Sequence, residues 1–379
     1  MEKKYCAAPW RGLHINFRGD VKTCCAGDPN MLGDLNNKNL EDIIHSDKMQ
    51  EIRASIKQGD LHPEYCYNCI QAERNGSSER DWHNNVNPEF EPQSADLDEH
   101  LPTLIDVRWN ITCNLSCNYC GPYCSSKWAS LKKEFVDNGV KPYHTQVIDY
   151  MMTNREDIRE VALVGGEPLL LKENATLLAL LPKDKLVTVI TNMSVDFDNN
   201  EVAKQLLNRN NVGWSMSFDN VGSRFEYVRH GGLWQLLEHN VSRVTHAMKN
   251  QGHHGGIHAV YNLYNCTRLT ELMQYARKAG VSILWQTLYQ PDYLDPLKHN
   301  KTIRDLALEE IDKVQTTFNL NGQENWFFKN MRSNLENAIA TDSDQTTALR
   351  EHITEIENVF HPGQKGNFAK LWPELHQAL

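Results

Sequence analysis

The chain has 379 residues, 40% of them hydrophobic and 23% charged, with a formal net charge of −10. That is enough for a sizeable core in one large domain or two to three smaller ones, and it excludes wholesale disorder. No run reaches the ~18 uninterrupted apolar residues of a membrane helix, and the acidic balance disfavours nucleic acid, whose backbone needs Lys and Arg clusters; a small molecule or a peptide is the expected substrate.

The first residues, Met1-Glu-Lys-Lys-Tyr-Cys6, hold no apolar core or cleavage site, so no secretory signal is expected and a soluble cytoplasmic protein is. Ten cysteines in that setting are expected as metal ligands or reactive thiols rather than disulfides. Residues 1–85 read as a cysteine-rich, irregular module with a helical stretch near Leu40–Ile56. Cys6, Gly19 and Cys24 are spaced C-x12-G-x4-C, and Cys66-Tyr-Asn-Cys69 follows. Two paired ligand sources separated by a helix can assemble one four-thiolate site, and four cysteines alone do not separate zinc from iron. Cys25 adjoins Cys24 and competes with it as ligand; the spacing from Gly19 favours Cys24. Residues 86–103, with Asn87-Pro-Glu-Phe-Glu-Pro92, read as a linker.

From Leu104 short apolar strands alternate with longer helical segments. Strands are expected at Leu104–Thr112, Glu160–Gly165, Leu186–Thr191, Val212–Phe218, Gly256–Leu263 and Val281–Leu288. Helices are expected near Ser125–Asn138, His144–Asn154, Glu173–Leu181, Asn200–Asn208, Leu233–Asn250 and Thr267–Ala279. Six such units imply a parallel sheet with crossover helices, too few for a complete eight-stranded barrel. The expected fold is therefore α/β, a partial (β/α)6 TIM-like barrel over 104–290. A helical, polar extension over 291–379 carries a break near Gly363-Gln-Lys-Gly366.

The chemistry-bearing residues fall at the expected C-terminal strand ends, where parallel barrels place their sites. After the first strand comes Cys113-Asn-Leu-Ser-Cys117-Asn-Tyr-Cys120, a C-x3-C-x2-C triplet with an aromatic, Tyr119, before its third cysteine. Three thiolates can hold three irons of a cubane cluster and leave the fourth open to a small molecule. After the second strand comes Gly165-Gly-Glu-Pro168, after the third Thr191-Asn192-Met193, and at the end of the fourth Ser217-Phe-Asp219, with Tyr227-Val-Arg-His-Gly-Gly232 beyond. Ser217 and Asp219, two apart, share one strand face.

This set resembles the radical S-adenosylmethionine (SAM) superfamily, whose fold is the same partial barrel. The resemblance implies a 4Fe–4S cluster on Cys113, Cys117 and Cys120 and SAM on its open iron. It also implies SAM contacts from Tyr119, Gly165, Gly166, Glu167 (toward the amino group), Asn192, Ser217, Asp219 and Arg229. Met193 stands where relatives often carry the glycine of Thr-Asn-Gly. One electron would then cleave SAM to a 5′-deoxyadenosyl radical that abstracts hydrogen from a substrate, an electron donor such as flavodoxin or ferredoxin supplying the reductant. Asn265 and Gln286 are expected in structural hydrogen bonds, Trp109 in the core, Cys266 as structural, and His253-His254 without a metal.

The N-terminal text, from Cys6-Ala-Ala-Pro-Trp10 through Gly19-Asp-Val-Lys-Thr-Cys-Cys25 to the C-x2-C pair, resembles the twitch module, a shortened SPASM. It implies a second, auxiliary 4Fe–4S cluster on Cys6, Cys24, Cys66 and Cys69. In many relatives this module follows the barrel, whereas here it precedes it. The leading expectation is oxidative modification of a peptide or small molecule, with the auxiliary cluster accepting an electron. A redox-neutral reaction such as epimerisation, with Cys124 as hydrogen donor, is the alternative. A zinc-binding interaction protein on a barrel scaffold is the non-catalytic one.

Overall fold

The computed structural model describes residues 5–26, 32–74, 79–134, 139, 141–288, 290–338, 345–360 and 366–379. Its strands run β1 Gly12–Ile15, β2 Asp20–Lys22, β3 Gly33–Asp34, β4 Leu104–Val107, β5 Ser116–Cys117, β6 Glu160–Leu163, β7 Leu186–Thr191, β8 Val212–Ser217, β9 Arg229–His230, β10 His254–Tyr261 and β11 Ser282–Thr287. All but β5 and β9 form one sheet in the order β11-β10-β8-β7-β6-β4-β1-β2-β3.

From β4 to β11 the spatial order is the chain order and every pairing is parallel. A sheet without a reversal of strand order puts its crossover helices on one side, because the connections are right-handed. The result is a singly wound, six-stranded partial barrel with its opposite face left concave. Outward-facing residues of β8 and β10 (Val212, Trp214, Met216, Ile257, Ala259, Tyr261) are buried in the core, whereas inward-facing Ser215, Ser217, His258 and Val260 are partly exposed.

The six barrel strands and the helices between them lie where the periodicity places them, with shifted ends. The helix after the triplet runs Ser126–Lys132 and stops at Lys133, whose φ is +56°; the rest of its expected span includes 135–138, outside the described residues. The first strand stops at Val107 because the next carbonyls are needed elsewhere. Gly166 N donates to Asn110 O, and Glu167 N to Thr112 O at 2.7 Å. The helical stretch at 40–56 is two helices, Leu40–Ile44 and Asp47–Lys57, because Ser46 adopts an extended backbone and its hydroxyl caps Met49 N.

The N-terminal module docks by strand addition. β1 pairs in parallel with β4, Gly12 opposite Leu104 through Ile15 opposite Val107, and β2 and β3 continue the sheet antiparallel. Residues 86–103 pack rather than dangle. Trp10 Nε1 donates to Asp96 O, Arg53 Nη1 to Leu97 O, and Phe90 lies against Trp10 with ring centroids 5.5 Å apart.

The C-terminal helices Lys301–Thr317, Gly322–Asn337, Thr346–Phe360, Asn367–Leu371 and Pro373–Ala378 also pack on the barrel. Trp285 of β11 stacks on Phe327, Trp372 Nε1 donates to Tyr264 O, and Phe360 stacks on His230 at 3.8 Å between centroids. Of the expected break, residues 363–365 lie outside the described residues; Gly366 has φ +87° and begins the next helix.

Candidate active site

The cysteine triplet occupies the loop after β4, and neighbouring elements fix it from three sides. β5, which contains Cys117, pairs antiparallel with β9, Ser116 opposite His230 and Cys117 opposite Arg229. Asn118 N donates to Val228 O and its side chain to Tyr227 O. Trp128 Nε1 donates to Cys117 O at 2.9 Å, and Ser126 Oγ accepts from Cys113 N. An irregular loop is thus held by hydrogen bonds on both flanks.

Gly165-Gly-Glu-Pro168 crosses directly beneath this loop. A Cβ added to Gly166 would lie 2.4 Å from Ile111 O and 2.5 Å from Thr112 O, so two backbones meet there and no side chain fits. Glu167 is fully buried, and its carboxylate accepts from Leu169 N, Thr191 Oγ1 and Asn192 N at 3.1, 2.8 and 2.7 Å. Burial, only partly opposed by those bonds, raises its pKa to about 7. Among the described contacts Glu167 therefore locks the third strand end onto the second. Asn192, so held, directs Nδ2 at Asn114 Oδ1 (2.9 Å) and at Cys113 Sγ (3.8 Å). Met193 has φ +58°, a left-handed conformation that glycine adopts more readily than methionine. Its side chain is buried, and its carbonyl accepts from Asn240 Nδ2.

On the far side of the loop, Tyr119, Asp219 and Arg229 form one unit. Tyr119 Oη donates to Asp219 Oδ2 at 2.5 Å, Arg229 Nε and Nη2 approach the same oxygen at 3.0 Å, and Val260 N donates to Oδ1. The Arg229 guanidinium lies 5.5 Å from the Tyr119 ring centroid. In this arrangement its partner is Asp219. Ser217, two residues earlier on the same face, is partly exposed. Asn265 closes a turn, accepting from Asn262 N and donating to Val260 O. Gln286 Oε1 accepts from His258 Nε2, whose Nδ1 contacts Ser215 Oγ.

Cys6, Cys24, Cys66 and Cys69, drawn from three stretches of the N-terminal module, line one pocket with Ala8, Pro9, Ile56, Leu61, Tyr65 and His83. Burial pushes the Cys6 thiol well above its ordinary pKa and Cys66 to about 12, and neighbouring cysteines of the set add to both. Four thiols gathered in one largely apolar pocket, with Arg80 at its lining, form a donor set suited to a cationic centre. Among the described residues no group of three or more His, Cys, Asp or Glu is arranged around a single ion, whereas a cubane spreads its thiolates over several irons. In the triplet, burial raises Cys113 and raises Cys117 to about 12, and the contact with Cys124 together with burial raises Cys120. The residues present fit both clusters. Cys25 is not part of the pocket lining.

Cys124 is exposed, and its side chain hydrogen-bonds with that of Cys120. Cys266 is buried, with Sγ donating to Leu263 O. His253 is held between Trp214 Nε1 and Arg209 O, and Trp109 Nε1 donates to Asn174 Oδ1 inside the core. The row His14–Asp106–Arg108 has no signature in the sequence as a whole. Asp106 and Arg108 were legible as same-face neighbours, but His14 arrives only through the β1–β4 pairing.

The radical SAM superfamily model matches residues 110–289, and the SPASM model, an iron–sulfur cluster-binding domain, matches residues 6–70. No curated protein matches the sequence. Among solved structures, Streptococcus suis SuiB bound to S-adenosylmethionine is 15% identical over 58% of this chain and 50% of its own, with a TM-score of 0.42. Native anSMEcpe with bound AdoMet is 17% identical over 57% of this chain and 62% of its own, with a TM-score of 0.41. TYW1 with a lysine-pyruvate adduct bound is 15% identical over 57% and 74%, with a TM-score of 0.36. The chain spans about half the length of SuiB.

Proposed function

We propose, for a chain that belongs to the radical SAM superfamily and carries a SPASM iron–sulfur module ahead of its barrel, that it oxidatively modifies a peptide or small-molecule substrate. When bound, the cluster on Cys113, Cys117 and Cys120 with SAM would supply radical hydrogen abstraction, and an auxiliary cluster on Cys6, Cys24, Cys66 and Cys69 would serve as electron acceptor. The observation that carries this reading is the convergence of Cys6, Cys24, Cys66 and Cys69 in one buried pocket on a module that shares the barrel's sheet. Four protein thiolates would leave that cluster no open iron, which suits electron transfer rather than substrate ligation.

The chain's own residues prepare the site. Cys113, Cys117 and Cys120 would ligate the SAM-binding cluster, with Asn192 hydrogen-bonded to the Cys113 sulfur. The paired loops at Gly166 and the β5–β9 bridge hold those sulfurs in place before any ligand binds. Tyr119, Asp219 and Arg229, tied to each other and to β10, give a rigid wall for the ribose and carboxylate of SAM. Ser217 and the glycine pair complete that lining. An electron donor such as flavodoxin or ferredoxin would serve the cluster.

The test is iron, sulfide and zinc per chain after anaerobic purification. About eight irons supports two cubanes; about four irons with one zinc removes the electron-acceptor role.

A second reading rests on Cys124, an exposed thiol four residues past Cys120. In a redox-neutral reaction it would return a hydrogen atom to a substrate radical. Replacing it with alanine would then stop product while SAM cleavage continued; retained product would eliminate this reading.

A further inference from the structure

Arg108 follows the last residue of β4, at the C-terminal rim of the barrel, and shares the concave face with Asp106. Asp106 is buried, and its Oδ2 lies 3.0 Å from His14 Nδ1 on the neighbouring strand of the iron–sulfur module. Arg108 approaches the same carboxylate with Nη2 at 3.3 Å and Nε at 3.4 Å. Asp106 is thus a fixed strut shared between two partners, and it sets the plane of the Arg108 guanidinium. Nη1 makes no hydrogen bond among the described residues, and the Arg108 side chain is 36% exposed. The other arginine beside the triplet, Arg229, is buried against Asp219 and Tyr119. Arg108 also lies within electrostatic range of Cys25 of the iron–sulfur module and of Cys124, on the exposed side of the triplet.

A planar fork with one edge clamped by Asp106 and Nη1 without a hydrogen bond among the described residues matches a carboxylate, which takes two parallel N–H donors. We infer that Arg108, aimed by Asp106 and His14, anchors a carboxylate of the substrate at the barrel mouth. Deepening the functional reading above and resting on it, this gives the substrate class as an acid: a peptide presenting an acidic side chain or C-terminus, or a small carboxylic acid. Anchoring at a fixed point beside the triplet would present one C–H bond to the abstracting radical, the positioning such chemistry depends on. The two sources of a carboxylate here are substrate and SAM itself, and the experiment separates them.

Glutarate serves as the probe, titrated calorimetrically into the anaerobically reconstituted holoenzyme with SAM bound. Arg108→Gln is expected to weaken glutarate binding by about ten-fold or more, and Arg108→Lys by less, since it keeps the charge and loses the fork. Equal affinity in the wild type and Arg108→Gln would overturn the assignment. So would absence of glutarate binding to the wild type, or a loss of SAM affinity with glutarate binding retained. Failure of the underlying reading shows separately, as no 5′-deoxyadenosine from the reduced wild type whatever the glutarate result.

Discussion

Cys117 and Arg229 sit opposite one another across a two-residue antiparallel bridge. The middle cysteine of the triplet is thereby joined to a residue that itself ion-pairs with Asp219 at the end of the fourth barrel strand. Burial penalises the Cys117 thiolate, and Arg229 is the largest influence favouring it. One short bridge therefore places a thiol, the cation that favours its ionised form and the wall of the proposed SAM site in fixed relation.

Gly166→Ala tests the backbone contact under the triplet. Its Cβ would meet two carbonyl oxygens at 2.4 and 2.5 Å, and neither can move without shifting the cysteine loop. We expect a loss of about 3 kcal/mol or more in stability and reduced iron incorporation. Wild-type melting and iron content in the variant would refute the contact.

Met193→Gly sets two effects against each other. Relief of the left-handed backbone is worth about 1–2 kcal/mol, whereas removing a fully buried methionine side chain costs about 2–5 kcal/mol. The variant is expected to be less stable by about 1–3 kcal/mol, although glycine suits the backbone better. A higher melting temperature than the wild type would show that strain dominates.

Glu167 gives a pH dependence. Its pKa rises from 4.5 in the unfolded chain to about 7 in the folded one, chiefly through burial. Below 4.5 both states hold the proton; between 4.5 and 7 the folded state holds it more, so stability falls as pH rises through that window. Above 7 the loss is complete, on the order of 3 kcal/mol at 1.36 kcal/mol per unit. Glu167→Gln removes this slope, so the wild type should lose melting temperature relative to the variant between about pH 5 and pH 8. A difference independent of pH would contradict it.

Cys66→Ala combined with Cys69→Ala removes two proposed ligands of the auxiliary site. About half the iron should be lost, with part of the SAM cleavage retained and substrate turnover abolished. Unchanged turnover would dissociate the N-terminal cluster from the reaction.

Much of this was legible in the chain because strand and helix periods alternate cleanly from Leu104 to Thr287, and spacing alone brings the triplet cysteines together. Glu167 was found by its motif, but its partners were not. The resemblance implies a residue near SAM, while the structure shows a buried carboxylate that holds Thr191 and Asn192. Arg229 likewise has Asp219 as its partner, ten residues back in sequence, brought there by the short helix Gly222–Val228, whose exit direction no local pattern encodes. The docking of the N-terminal module was illegible for a different reason. β1 is four residues long and buried at each of them, so it carries no alternation to announce its place beside β4.

The most direct test replaces Cys113, Cys117 and Cys120 together with alanine, then measures iron per chain and 5′-deoxyadenosine after reduction with SAM present. We expect about four irons to remain on the N-terminal module and no 5′-deoxyadenosine to form. Continued formation of 5′-deoxyadenosine by that variant would mean that the triplet does not hold the SAM-cleaving cluster.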